Sequence, residues 1–120
     1  MAIRGIRGAT TVSLDTPEEI TGAVTELLTD MIAANSVDIT EISSIFFTAT
    51  PDLRSIFPAQ AARNMGLESV PLMCAQEIDV AGGLPMTLRI LMTINSELSQ
   101  KAIAHRYLRG ARALRPDLTE

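Results

Sequence analysis

The residues equipped for chemistry are few and gather in two adjoining stretches. The first runs Cys74-Ala75-Gln76-Glu77-Ile78-Asp79-Val80-Ala81-Gly82-Gly83-Leu84-Pro85 and places a thiol and carboxylates in an otherwise apolar run. The second, Met86 to Ile94, carries Arg89 in the middle of Met, Leu and Ile residues. A cation among aliphatic neighbours is costly unless an anion partners it. Further arginines precede these stretches: Arg4 and Arg7 near the N-terminus, and Arg54 and Arg63 on either side of Phe57. Tyr107 and His105 follow. There is no phosphate loop, dinucleotide fingerprint or metal motif. Arginines with an acceptor carboxylate, a thiol and a phenol suit a small, multiply anionic, hydroxylated molecule. They can also stabilise charge that develops on an oxygen. The same set is poorly equipped for hydrolysis, redox work or phosphoryl transfer.

Composition narrows the partners. The 120 residues suit one domain, and 47% of them are hydrophobic while only 3% are aromatic, so the core is aliphatic. With no Trp, one Tyr and a net charge of −4, neither a nucleic acid nor an anionic membrane is an expected partner. One cysteine excludes an internal disulfide, and with one histidine it leaves too few soft ligands for a structural zinc. The N-terminus lacks the apolar core of a signal peptide and no run approaches a membrane span. A cytoplasmic location is the expectation. Nine of the ten basic residues are arginine, which suits planar anions as well as a biased genome.

Five strands and a few helices must position these residues. Residues 2–12 read as a strand in which Gly5 and Gly8 mark a bulge or a close approach, and Arg4 and Arg7 face opposite sides. Asp15-Thr16-Pro17-Glu18-Glu19 is a helix start, with Thr16 and Glu19 as a capping box. Ile20, Val24, Leu27, Leu28, Met31 and Ile32 then line one helical face, ending near Asn35. A strand over 42–50 is apolar on both sides at Ile45-Phe46-Phe47, which predicts burial on both faces and, with the preceding helix, a crossover to a parallel neighbour. Pro58 to Met65 reads as a short helix stopped by Gly66. Val70 to Gln76 is a third strand, in which Cys74 and Glu77 face opposite sides unless the chain leaves the sheet between them. Met86 to Ile94 alternates, with Thr87, Arg89, Leu91 and Thr93 on a semi-polar face. Ser99 caps a short helix through Ala104, and His105 to Leu108 is a short strand with His105 a surface or edge residue. From about residue 110 a tail follows, with Ala113-Leu114 as its anchor and fraying at its end.

At this point the chain resembles a family. Ile3-Arg4-Gly5-Ile6-Arg7-Gly8-Ala9-Thr10-Thr11, Ala49-Thr50-Pro51-Asp52-Leu53, Phe57-Pro58-Ala59, Cys74 with Gln76-Glu77, Asp79-Val80, Gly82-Gly83-Leu84 and Leu114-Arg115-Pro116-Asp117-Leu118 together resemble the monofunctional chorismate mutases of the small trimeric α/β class, not the all-helical class. The resemblance implies one domain over 1–120. Its fold is an α/β (α+β) mixed sheet of about five strands with one long helix and short helices on one side, assembling as a homotrimer with a barrel-like core. It also implies isomerisation of chorismate to prephenate with no cofactor, metal or nucleophile. By the same resemblance Arg7 pairs a substrate carboxylate and reaches the ether region. Arg89 donates to the ether oxygen, and Glu77 with Cys74 holds the ring hydroxyl. Tyr107 binds a carboxylate. Phe57 and Ala59, with Arg63 near a carboxylate, come from the neighbouring subunit, Met73 lies in the pocket wall, and Leu114 and Arg115 close over the site.

Departures are visible. The position after Ala59 is often lysine in that family and is Gln60 here, which weakens the positive field. Leu72 and Met73, before Cys74, are bulkier and more apolar than the family pattern. Two other classes fit the residues alone: a trimeric imine or enamine hydrolase of similar architecture, and a non-catalytic binder of an anionic metabolite.

Overall fold

The structure, a computed structural model, describes residues 1–115. The expected fraying of the chain end, and Pro116, Asp117 and Leu118 of the quoted motif, lie outside the described residues. Five strands form one mixed sheet: β1 (Ala2–Thr11), β2 (Ile42–Ala49), β3 (Leu72–Gln76), β4 (Thr87–Ser96) and β5 (Arg106–Tyr107), in spatial order β3-β2-β4-β1-β5. Helices α1 (Pro17–Ala34) and α2 (Ala59–Asn64) join β1 to β2 and β2 to β3. Among the described residues, no helix is long and apolar enough to cross a membrane.

Helix α1 starts where the cap predicts: the Thr16 hydroxyl accepts the Glu19 N–H at 3.1 Å, with Pro17 in the first turn. Its buried face is Ile20, Ala23, Val24, Leu27, Leu28 and Met31. That face lies on the sheet against Ile6, Ile45, Phe47, Leu88, Ile90 and Met92, all in one core. Gly8 lets the helix come this close. A Cβ there would sit 2.5 Å from Met31 Sδ and 3.1 Å from Leu27 Cδ1. The register of β1 runs without a shift, so of the two expectations for its glycines, Gly8 answers to close approach and there is no bulge. Gly66 stops α2 at φ 88°.

Several elements differ from the sequence reading. β1 and β2 do not pair. Both run antiparallel to β4, which lies between them, so they are parallel in direction but not neighbours. The adjacent parallel pairs are β2 with β3, joined by α2, and β1 with the short β5. A hydrophobic pattern gives strand type and leaves open which strand enters the gap of a crossover. Nor is β2 covered on both faces in this chain. Phe47 is 1% exposed beneath the helices, whereas Phe46 is 43% exposed on the other side. The expected helix over 99–104 is a single 3₁₀ turn, Gln100–Ala102, and the Ser99 side chain does not cap it. A second 3₁₀ segment, Arg109–Leu114, is anchored by fully buried Ala111, which packs with Leu114 on Ala9 and Tyr107, while Ala113 is exposed.

Candidate active site

Helices cover one face of the sheet; the other face carries the chemistry. In β4, Arg89 lies opposite Ala9 of β1 and Thr48 of β2, and Leu91 lies opposite Arg7 and Phe46. Partners across a ladder share a face. Arg7, Thr48, Arg89 and Leu91 therefore project from the same side, and Tyr107, paired beside Ala9, joins them at the edge. Arg7, Gly8, Phe46, Thr48, Arg89, Ile90, Leu91 and Tyr107 line a groove of about 350 Å³. Arg4, on the opposite face as expected, spends its Nε on the Leu98 carbonyl at 2.7 Å.

Arg89 also borders a second hollow, of about 450 Å³, whose wall includes Asp52, Arg54, Glu77, Asp79 and Leu84. Here lies the anion that the mid-strand cation requires. Arg89 Nε donates to both Glu77 oxygens, at 3.1 and 2.9 Å. The Thr48 hydroxyl donates to Glu77 Oε2 at 2.6 Å. Glu77, with a side chain 14% exposed, is the more sheltered partner, and Arg89 is 37% exposed. The terminal amino groups of Arg89 and the whole guanidinium of Arg7 make no hydrogen bond among the described residues. The buried Tyr107 hydroxyl likewise has no partner there. Such a group costs about 1–3 kcal/mol when left unsatisfied. Two guanidinium groups with spare donors, those of Arg7 and Arg89, thus stand with a phenol and a carboxylate, a set that suits a hydroxylated polyanion.

Local structure holds these groups. Asp52 accepts the Thr50 hydroxyl at 2.5 Å and the N–H of Met86 at 3.0 Å, pinning the start of β4, where Met86 takes φ 53°. The Asp15 carboxylate accepts the backbone N–H groups of Arg54 and Ser55 at 3.0–3.2 Å and so fixes the loop before Phe57. The Ser55 hydroxyl, outweighing some desolvation, together with those N–H groups and the Arg54 charge, keeps Asp15 below its ordinary carboxyl pKa. His105 Nδ1 accepts the Arg7 N–H at 3.0 Å. Burial first, then the charges of Arg7 and Arg115, hold the imidazole below its ordinary pKa, which preserves that acceptor. β5 is tied to α1 by Arg106 and Asp30 at 2.6 Å.

A profile of the type I chorismate mutases matches residues 3–118. The chain belongs to that family. It is 49% identical to the chorismate mutase AroH of Thermus thermophilus over 117 residues, covering 97% of this chain and 96% of the relative. Against the chorismate mutase AroH of Bacillus subtilis (strain 168) the identity is 45% over 120 residues, covering 99% and 94%. A solved chorismate mutase from Clostridium thermocellum superposes with a TM-score of 0.90 at 48% identity, covering 91% of this chain and 97% of that one. The mixed five-stranded sheet with few helices is the fold of these chorismate mutases.

Within this chorismate mutase fold the residues named from sequence fall into separate groups. Arg7, Arg89 and Tyr107 meet at one groove, and Glu77 meets Arg89 from the other side. Cys74 does not meet Glu77. It pairs with Phe47 in the ladder, packs toward the helix-side core, and lines a third hollow of about 250 Å³ with Phe57, Arg54 and Gln76. β3 stays regular to Gln76, so the parity argument from sequence holds, and only Glu77 reaches the arginine face. Phe57 stands 72% exposed and Arg63 is exposed, neither touching the groove of its own chain. Ala59 is buried in the core of its own chain. Met73 is exposed on the open face. Leu114 packs against Tyr107, and Arg115 stands close enough to act on His105. Sequence reasoning missed two residues. His105, taken as a surface or edge residue without a role, accepts the backbone N–H of Arg7. Thr48 carries no signal of its own beyond its even spacing from Phe46, since its partner Glu77 is 29 positions away.

Proposed function

We propose that this protein isomerises chorismate to prephenate, a pericyclic rearrangement in which one carbon–oxygen bond breaks as one carbon–carbon bond forms and no proton is transferred. The observation that carries this reading is the convergence of Arg7, Tyr107 and Arg89 on one groove, with Glu77 held on the far side of Arg89. Arg7 and Tyr107 bind substrate carboxylate and bring the enolpyruvyl side chain over the ring, a near-attack geometry. Arg89 donates from its terminal amino groups to the ether oxygen, on which negative charge grows as the bond breaks. Glu77 accepts the ring hydroxyl. Cys74 contributes pocket wall beside Phe57, not an attacking thiolate. Nothing in this scheme calls for a metal or cofactor.

The working unit in this reading is a homotrimer, with each groove completed by a neighbouring copy. Phe46, Leu91 and Met73 leave an apolar strip on the uncovered sheet face, at 43, 43 and 60% exposure, which two further copies would bury. Phe57 and Arg63, which project from their own chain without reaching its groove, complete the site of a neighbour, and Leu114 with Arg115 closes it. In this reading the protein serves aromatic amino acid formation and works in the cytoplasm. The test is a spectrophotometric assay of the purified protein. Loss of chorismate absorbance with prephenate as sole product is expected. Binding without turnover, or ammonia release from an imine substrate in its place, overturns the reading.

A further inference from the structure

Glu77 has two oxygens, and they are not equivalent. Oε2 takes both the Thr48 hydroxyl at 2.6 Å and Arg89 Nε at 2.9 Å, whereas Oε1 has only the longer contact to Nε at 3.1 Å. A carboxylate offers about four lone-pair sites, so Oε2 is close to saturated and Oε1 has capacity left. Thr48 can reach this point because β2 sets it opposite Arg89 on one side and Ala75 on the other, two residues before Glu77 along β3. It also lines the groove of Arg7 and Tyr107. A hydroxyl has one proton to give, and Thr48 gives it to Glu77.

We propose that Thr48 is a positioning residue: its hydroxyl clamps Glu77 Oε2 against Nε of Arg89, which leaves Oε1 for the substrate hydroxyl and the two terminal amino groups of Arg89 for the substrate's ether oxygen. This rests on the roles given above to Arg89 and Glu77. Without the clamp the carboxylate can rotate and take the terminal amino groups of Arg89 for itself. Those donors would then be withdrawn from the transition state, so kcat falls more than KM rises. A serine at 48 keeps the donor. A valine keeps the volume and the strand preference and loses the donor.

The experiment compares Thr48→Val and Thr48→Ser in the wild-type and Glu77→Gln backgrounds, with circular dichroism to verify folding. Thr48→Val should lower kcat about tenfold to a hundredfold, the usual reach of one hydrogen bond to a charged group. Thr48→Ser should recover most of that loss. In the Glu77→Gln background the same valine should change kcat little, because the clamped group is gone. In parallel, the Arg89 side-chain N–H is followed by NMR exchange with water. It should be protected in the wild type and Thr48→Ser and exchange faster in Thr48→Val, whether or not the protein turns over chorismate. A folded Thr48→Val enzyme with wild-type kcat overturns the proposal, as does an equal loss in the Glu77→Gln background or an unchanged Arg89 N–H. Absence of chorismate turnover by the wild type itself would instead remove the functional reading, and the NMR comparison would still decide the clamp.

Discussion

The two faces of the sheet are built from the same strands by opposite rules. Toward the helices, Ile6, Ile45, Phe47, Leu88, Ile90 and Met92 form a dry aliphatic layer under α1. Toward the open side, the residues between them in sequence are Arg7, Phe46, Thr48, Arg89 and Leu91, a mixture of cations, a hydroxyl and bare apolar side chains. One face stabilises the chain; the other is left unfinished, with spare donors and uncovered carbon. Neighbouring phenylalanines display the difference most directly, since Phe47 and Phe46 differ only in the direction they point.

Mutation should separate the two faces. Phe47→Ala should remove about 3–5 kcal/mol of stability, read as a large fall in the melting temperature, with turnover per folded molecule little changed. Equal stability to the wild type would break the contrast. On the open face, Arg89→Ala should leave the fold intact and lower kcat by about a hundredfold to a thousandfold, the cost of losing a donor to a developing oxyanion. Near-wild-type turnover would remove Arg89 from the chemistry. Phe46→Asp should leave the secondary structure in place and shift the protein toward monomers in size-exclusion chromatography coupled to light scattering. An unchanged oligomeric state would mean that this face does not form the proposed trimer interface. The smallest effect concerns pH. His105 is harder to protonate folded than unfolded, so below its ordinary pKa of 6.5 the unfolded chain takes up a proton that the folded chain refuses. Stability should therefore fall as pH drops through that value toward the lower folded-state pKa. His105→Asn, which retains an acceptor for the Arg7 N–H, should show a shallower decline in thermal denaturation. Parallel curves for the two proteins would exclude His105 as the source.

Much of this was legible in the residues. The cap at Thr16, the apolar face of α1 and the stop at Gly66 are local signals, and local hydrogen bonds and packing periodicity answered them. Arg89 was legible because a mid-strand cation demands an anion, and Glu77 supplied it. Parity also held: Arg4 and Arg7 part, and Cys74 and Glu77 part. What local pattern does not encode is which strand lies beside which. The insertion of β4 between β1 and β2, and with it the meeting of Thr48 and Arg89, depends on pairing across long separations. The same holds for His105, whose role comes from a backbone N–H 98 positions away. Ala111, in place of Ala113, became the tail anchor because of where the 3₁₀ segment docks on Ala9.

The position of β1 in the sheet also orders events in time. Its ladder partners are residues 87–96 and 106–107, so the first strand made has no partner until nearly the whole chain has been synthesised. The β2–β3 pair and its connecting helix are complete by Gln76, before β4 begins at Thr87. Contacts of such high sequence separation close slowly. Until they close, a nascent chain carries Arg7 on a strand with two unpaired edges, a state open to wrong pairing with other chains. A chain that stops short of Tyr107 can still pair β1 with β4, yet it lacks the phenol of the proposed site.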